Sequence, residues 1–368
     1  MQQVALLILS LVTLQYLVLW FRLKRFFRGY SQADPTAAMP NVCIFLPCRN
    51  EAENLPDCLR ALDALQYPAE KIRFLVADDH SSDETGAILA NWVSQGKNRQ
   101  LIPLDRPPVA GENGKALAMA LMAGQVKEGE LLLFTDADCR VPAGWAKCMA
   151  KTYLQEFGLV TGITTISGNS WFARMQSLDW WLTLGKVKVV ADWGFTLTAM
   201  GNNMAVGEGP YRKVGGFFPF KEVVTEDLAL ARAMYGMGFR PIQLVNRAAL
   251  VRTLPEPGFA RLMKQRKRWM RGAFLLPWYW QWLLGLQVGF YLALAVALYY
   301  VPLLTGISWA IKILAQSLFI RTFAAKTETK TRFLDLLSFE IYNWIVSWAT
   351  VLYYFWPGAI QWKNRKYA

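Results

Sequence analysis

Residues 4–21, VALLILSLVTLQYLVLWF, form an almost unbroken apolar run, and in lipid a run of that length has one stable form. A bilayer core of about 30 Å is crossed by roughly 20 helical residues, and a lone segment can satisfy its own backbone there only as a helix. No Lys or Arg precedes the run, whereas Arg22, Lys24, Arg25 and Arg28 follow it. A cleaved signal peptide carries its positive charge on the other side. Residues 1–25 are therefore expected to be an uncleaved anchor that leaves the following domain in the cytoplasm. With 54% apolar residues, the chain must place part of that mass against lipid.

Apolar character returns beyond residue 280. Residues 282–320 carry one charge, Lys312, and Pro302 and Gly306 near their middle divide them into two spans. Residues 333–356 are a further candidate, so three or four spans are expected, four in preference, with two or three of them within 282–358. Three spans after a cytoplasmic domain would put Lys363, Arg365 and Lys366 outside, against the positive-inside tendency. Asp335 and Glu340 ease that conflict if their helix starts on the membrane surface or faces protein. The expected location is the cytoplasmic (inner) cell membrane, multi-pass.

The formal net charge is +13, yet much of the excess lies beside membrane segments. Arg261, Lys264, Arg266, Lys267, Arg268 and Arg271 fall in an amphipathic interfacial helix expected over 258–280, where anionic head groups or a diphosphate are the fitting partners. No nucleic-acid partner is expected. The five cysteines lack zinc-ligand spacing and read as reduced packing residues. No feature of the sequence sets an oligomeric state.

Residues 38–257 are mixed in polarity and read as one cytoplasmic domain. Strands are predicted at Val42–Pro47, Phe74–Ala77, Leu101–Leu104 and Leu131–Thr135, with helices from an Asn54 cap to about Leu65, from Asp83 to Val93 and from Lys115 to Ala123. This βαβαβαβ order of apolar strands implies an α/β fold with a parallel sheet covered on both faces. Ligands of such sheets bind at the carboxyl ends of strands, where Asp79 and Asp136 fall. No GxGxxG follows the first strand, and Gly114-Lys115 lacks the rest of a P-loop, which removes dehydrogenase and ATPase readings.

The chemistry-bearing residues are mostly acidic. If the backbone stays extended, Asp136 and Asp138 share one face, repel each other and invite a cation; oxygen ligands of this kind suit Mg²⁺ or Mn²⁺. The plainer reading is a solvated loop. Asp78 and Asp79 end another strand and can accept N–H and O–H groups from a base or ribose, while Ser82 and Asp83 read as helix caps. His80 is the only histidine, so any Ser/His/Asp or Cys/His mechanism must run through it and no His-rich metal site is possible. Glu226 and Asp227 open a helical run, which capping alone explains; with histidine nearly absent, Asp227 is also the available general base. In Gln265-Arg-Lys-Arg268-Trp269, Arg268 matches a diphosphate and Trp269 offers a flat wall, although a membrane-surface helix explains both.

In order along residues 40–275, the set Pro47-Cys-Arg-Asn-Glu51, Asp78-Asp79, Asn113-Gly-Lys115, Asp136-Ala-Asp138, Gly201-Asn-Asn203, Thr225-Glu-Asp227 and Gln265 to Trp269 resembles the membrane branch of the family 2 glycosyltransferases. That branch includes cellulose, chitin and hyaluronan synthases and ceramide glucosyltransferases. The resemblance implies a GT-A fold, a Rossmann-like nucleotide-binding sheet, joined to transmembrane helices. It places Pro47, Arg49, Glu51, Asp78 and Asp79 near the donor nucleoside and Lys115 and Asp136 on ribose or diphosphate. The metal falls to Asp138 with Asp136. Asp227 becomes the base of an inverting transfer, Gln265, Arg268 and Trp269 hold the diphosphate, and Asn202, Asn203, Glu226, Asp227 and Trp269 line the acceptor.

The expected donor is a nucleotide-diphosphate sugar, a UDP-sugar by default, and the expected cofactor is Mg²⁺ or Mn²⁺. Polymer-extruding members of this branch usually have more than three or four spans, so the expected acceptor is a membrane lipid or lipid-linked hydroxyl, with the aromatic segment 171–193 lining its entrance. Thr225-Glu-Asp227 is common among polymer synthases of this branch, which keeps processive synthesis as the alternative. A catalytically silent membrane scaffold is the alternative of another class.

Overall fold

The computed structural model describes residues 1–30, 38–109, 111–154, 157–195, 197–363 and 365–367. In chain order its elements are α1 (Gln2–Arg25), β1 (Val42–Cys48), α2 (Leu55–Asp63), β2 (Ile72–Asp78), α3 (Thr85–Ser94), β3 (Arg99–Leu101), α4 (Gly114–Met122), β4 (Leu131–Phe134) and α5 (Trp145–Tyr153). There follow β5 (Leu159–Thr161), β6 (Ile163–Ile166), α6 (Trp171–Asp192), β7 (Met204–Gly207), α7 (Glu208–Lys213), α8 (Glu226–Gly236), β8 (Pro241–Gln243) and β9 (Leu250–Thr253). The last are α9 (Phe259–Phe274), α10 (Trp278–Tyr300), α11 (Pro302–Ala325), α12 (Phe333–Phe355), β10 (Ile360–Trp362) and β11 (Arg365–Tyr367).

These form two units that do not follow chain order. An α/β unit holds residues 29–165, 194–254 and 359–368, and a helical unit holds residues 1–28, 166–193 and 255–358. Residues 166–193 thus pack with the helices although they lie inside the stretch read as one domain, and the 360–367 hairpin belongs to the α/β unit.

The sheet of the α/β unit has the order β3-β2-β1-β4-β7-β5-β8. Three of the expected strands stand where the sequence put them, the third forms at Arg99–Leu101 in place of Leu101–Leu104, and all four are parallel. The later half is mixed, because β7 runs antiparallel to both β4 and β5. That reversal has a use: Met204 pairs with Phe134, so the loop before β7 lies beside the loop after β4. Alternate residues of β1 enter two different cores, Val42, Ile44 and Leu46 on one face and Cys43 and Phe45 on the other. This is the pattern of a strand covered on both sides. All five cysteines are buried and free.

Asn54 does not cap α2 through its side chain; its amide donates to Glu51 instead, at 2.7 Å. The residue expected to start a helix therefore shapes the neighbouring loop.

In the helical unit α1 packs on α10 and α11, α6 on α11 and α12, and α9 on α12. Three helices, α1, α10 and α11, are long and apolar enough to cross a membrane among the described residues. The pair expected over 282–320 is present, divided at Val301. The fourth candidate is a helix, α12, whose Asp335 and Glu340 are buried against protein, Asp335 paired with Arg174 at 2.8 Å and Glu340 with Lys312 at 2.6 Å. Of the basic residues expected on a membrane surface, Arg266 pairs with Asp179 and Lys267 donates to the Trp356 carbonyl at 2.7 Å. These two charges are turned toward protein.

Candidate active site

β1 and β2 are in register at Cys48 and Asp78, so the loops that follow them leave the sheet side by side. Pro47 pairs with Ala77 but lies beyond the last residue that β4 pairs, Phe45, where a missing N–H interrupts no β4 ladder. Arg49 ties the two loops, Nη1 donating to the carbonyls of Asp79 at 2.5 Å and His80 at 3.1 Å. Glu51 N–H donates to Thr85 Oγ1 at 2.8 Å and Asn50 N–H to Ser81 Oγ at 2.9 Å. Asp78, expected at the donor, also shapes this loop, accepting from the Ser81 N–H at 3.2 Å and from the Ser81 hydroxyl.

Asp79 and Glu51 are only 3% and 7% exposed. Both meet cations of the 360–367 hairpin, Arg365 on Asp79 and Lys363 on Glu51. Burial lifts the Glu51 pKa above its ordinary value, opposed by Lys363 and reinforced by Asp138. His80, half-exposed, puts Nδ1 3.6 Å from Asp79.

At the end of β4 the condition for two carboxylates on an extended strand is not met. The strand stops at Phe134, and residues 136–139 form a turn closed by Cys139 N–H on the Asp136 carbonyl at 3.0 Å. Both carboxylates nevertheless stay half-exposed around a buried Ala137. Asp138 accepts from Thr253 Oγ1 at 3.1 Å, a hydroxyl brought alongside by the Arg140–Arg252 bridge.

The third acidic motif joins the second through Lys115. Its ammonium lies 2.5 Å from Asp136 and 3.7 Å from Glu226. Burial works against this charge, yet Asp136, Glu226 and Asp227 outweigh it and hold the Lys115 pKa above its ordinary value. Asn113 caps α4, accepting from the N–H groups of Lys115 at 3.0 Å and Ala116 at 3.3 Å, and its amide reaches Glu226 at 2.8 Å. One asparagine therefore fixes the N-termini of α4 and α8 together. Asp227 is held by two backbone N–H groups, those of Gly201 at 2.9 Å and Leu228 at 2.8 Å. A Cβ on Gly201 would come within 3.1 Å of Asp227, so the glycine permits that approach.

Of the expected acceptor residues, Asn203 is fully buried and spent on structure: Oδ1 accepts from Trp145 at 2.9 Å, and Nδ2 donates to the carbonyls of Ile163 at 2.8 Å and Ala249 at 2.9 Å. It braces the loop before β7 and offers an acceptor nothing. Asn202 is half-buried and accepts from Thr164 at 3.0 Å.

Gln265, Arg268 and Trp269 lie on α9 in the helical unit. Gln265 donates to Glu256 at 2.8 Å, and Trp269 meets Trp180 edge-on at 5.6 Å. Arg268 is half-buried. Within the aromatic segment 171–193, Trp181 is core, packed on Phe323, whereas Trp171 and Trp193 stay exposed.

Four residues of the site escaped sequence reasoning as individuals: Asn113, Thr253, Lys363 and Arg365. Asn113 carried a usable signal, an Asn immediately before a helical run. The others act across more than a hundred residues of chain and carried none.

Among the described residues no group of three His, Cys, Asp or Glu could hold a metal ion. What stands on the rim of the sheet is a sparse set: buried carboxylates after β1 and β2, a half-exposed pair after β4, and a lysine linking that pair to a carboxylate anchored at α8. The same fold occurs in the mannosyltransferase PcManGT from Pyrobaculum calidifontis, a GT-A enzyme solved with GDP-Man and Mn²⁺, which superposes with a TM-score of 0.59 at 19% identity over 97% of this chain and 99% of that one. The chain belongs to glycosyl transferase family 21, whose model matches residues 4–368. It is 26% identical over 287 residues to the probable glycosyltransferase YdaM of Bacillus subtilis, covering 72% of this chain and 64% of that protein. It is 25% identical over 264 residues to the beta-monoglucosyldiacylglycerol synthase of Synechocystis, covering 69% of this chain and 52% of that one. The chain spans less than two thirds of the length of either relative.

Proposed function

We propose that this protein is an inverting glycosyltransferase of the cytoplasmic membrane that moves a sugar from a nucleotide-diphosphate sugar, a UDP-sugar in the first instance, to the hydroxyl of a membrane lipid or lipid-linked acceptor. The observation that carries the reading is Lys115, which gathers Asp136, Glu226 and the neighbouring Asp227 from two loops of one rim. Family membership and the glycolipid synthase of Synechocystis support it.

In this mechanism Asp79 and Glu51 accept N–H and O–H groups of the donor nucleoside. Lys115 supplies positive charge where the diphosphate lies. Asp227 takes the acceptor proton while the acceptor oxygen bonds to the anomeric carbon; the bond from that carbon to the diphosphate oxygen breaks, and its electron pair leaves with the nucleotide. A single displacement inverts the anomeric centre.

The donor set fits a hard divalent cation shared with a substrate and does not fit one held by protein alone. Mg²⁺ or Mn²⁺ commonly takes one or two carboxylates and completes its shell with water and phosphate. Asp138, with Asp136 beside it, would hold the ion, which when bound supplies charge to stabilise the departing diphosphate.

The test is incubation of membranes containing the protein with labelled UDP-glucose, UDP-galactose, UDP-N-acetylglucosamine and GDP-mannose, with Mn²⁺ or Mg²⁺, followed by mass analysis of the lipid extract. A lipid carrying one added sugar is expected. A ladder of long chains would establish polymer synthesis instead, and no transfer from any donor would remove the reading.

A further inference from the structure

The hairpin formed by β10 and β11 occupies the two carboxylates assigned to the donor nucleoside, and the proposed reaction gives that contact no part. Its strands pair with each other in register Ile360 with Tyr367 and Trp362 with Arg365, as a separate two-stranded sheet. Lys363, between the strands, sends Nζ to the Glu51 carboxylate and to the Arg49 carbonyl at 2.9 Å, and its own carbonyl accepts from Arg49 Nε at 3.3 Å. Arg365 spreads its fork across Asp79, with Nη1 on Oδ2 and Nη2 on Oδ1 at 3.0 Å. The same Nη1 fills the space that a Cβ on Gly114 would need. The guanidinium therefore plugs the gap between Asp79 and the start of α4.

We propose that this hairpin is a displaceable strap over the donor-nucleoside subsite: Lys363 and Arg365 hold Glu51 and Asp79 while no donor is bound, and the nucleoside reaches those carboxylates by moving the strap. The proposal rests on the assignment of Asp79 and Glu51 made above. Both oxygens of Asp79 are engaged by one guanidinium, so the N–H or O–H groups of a base or ribose must compete with Arg365 for them. Buried carboxylates left bare are unfavourable, and cations from the same chain keep Glu51 and Asp79 paired. When the nucleoside arrives, one set of donors replaces another. The hairpin is the element that yields, because an isolated two-stranded ribbon is marginal in water and gains little from its own pairing.

A strap of this kind taxes affinity by the closed fraction. If it is closed about four fifths of the time, the apparent Kd rises about fivefold. The tax falls on donor binding and leaves the proton transfer at Asp227 untouched, so the strap shows in KM for the donor and not in kcat.

The test uses the full chain in lipid nanodiscs, titrated with UDP and with GDP by calorimetry, and hydrogen exchange of the peptide covering residues 359–368. The Lys363→Ala/Arg365→Ala double variant and a deletion of residues 359–368 are expected to bind one of the two nucleotides about fivefold more tightly than the parent. Saturating nucleotide is expected to raise exchange of the 359–368 peptide in the parent chain. Equal or weaker binding by both variants, no binding by any form, or exchange that falls on adding nucleotide overturns the strap; the last result would make the hairpin a cap that closes on the donor. Asp79→Ala placed in the double-variant background separates the two claims. Weaker binding there supports the nucleoside assignment, and unchanged binding there counts against that assignment while the exchange result still scores the strap.

Discussion

The Lys115 ammonium lies 2.5 Å from the Asp136 carboxylate, and this ion pair joins the loop after β4 to the N-terminus of α4. Lys115 also faces Glu226 at 3.7 Å, so its removal leaves two acidic groups without their shared cation. A hydrogen bond to a charged group contributes about 1.5–3 kcal/mol, and Lys115 is proposed to give one to the donor diphosphate. Lys115→Ala is therefore expected to lower kcat/KM for the donor by 10-fold or more. Lys115→Arg restores little, since a planar fork does not replace a point charge between two carboxylates. Steady-state kinetics at varied nucleotide-sugar concentration read both; parental kinetics in Lys115→Ala would sink the assigned role.

Asp227 and Asp138 separate the acceptor's chemistry from the donor's. Asp227→Asn keeps the shape and the oxygen that the Gly201 N–H can reach but removes the base. A drop in kcat of about 10² to 10⁴ is expected, with nucleotide binding retained. Asp138→Asn is expected to weaken the dependence of nucleotide binding on Mn²⁺ while the chain still folds, because Thr253 and Cys139 can contact either side chain. Calorimetric titration of UDP with and without Mn²⁺, alongside single-turnover transfer, distinguishes the two. Equal losses of binding in both variants would contradict the division.

Acid sensitivity is expected from Glu112. It bonds Arg106 at 2.7 Å and the Val109 N–H at 3.0 Å, and the Arg106 bond is the first cause of a pKa lowered from 4.5 to about 2. A carboxylate with a depressed folded-state pKa contributes stability above its unfolded value and loses it as pH falls through the folded one. The window is therefore between about pH 4.5 and pH 2. Arg106 is half-exposed, which screens the pair and keeps the effect modest. Thermal midpoints across that window should fall for the parent chain and fall less for Glu112→Gln; parallel curves would remove Glu112 as the source.

What the sequence disclosed follows from how local each signal is. The apolar strands at residues 42, 74 and 131 and the helices between them are written in consecutive residues, and they appear within a few positions of where periodicity put them. The break at Val301 follows from Pro302. The reversed strand β7 was not legible, since its four residues carry no mark of direction and the pairing partner is about 70 residues away. Asp78 and Asp79 look equivalent in sequence, yet one bonds Ser81 of its own loop and the other is buried against Arg365. Asn203 reads as a site residue until its three hydrogen bonds are seen to be spent. Arg365 reaches Asp79 across the length of the chain, and its spacing in sequence says nothing of that.

The Lys312–Glu340 pair shows what a buried charge costs inside the helical unit. Both side chains are under 5% exposed, 2.6 Å apart, and Glu340 also accepts from Trp309 at 3.1 Å. Breaking such a pair from one side strands the other charge away from water, a loss of about 3–5 kcal/mol, whereas replacing both with apolar groups of similar size is often neutral. Glu340→Leu is therefore expected to lower the thermal midpoint of the detergent-solubilised protein sharply, by several degrees or more. The Lys312→Met/Glu340→Leu double variant should recover most of that loss. Non-recovery would mean that the pair orients α11 against α12 through its polarity, because apolar packing of the same volume would then have failed to substitute for it.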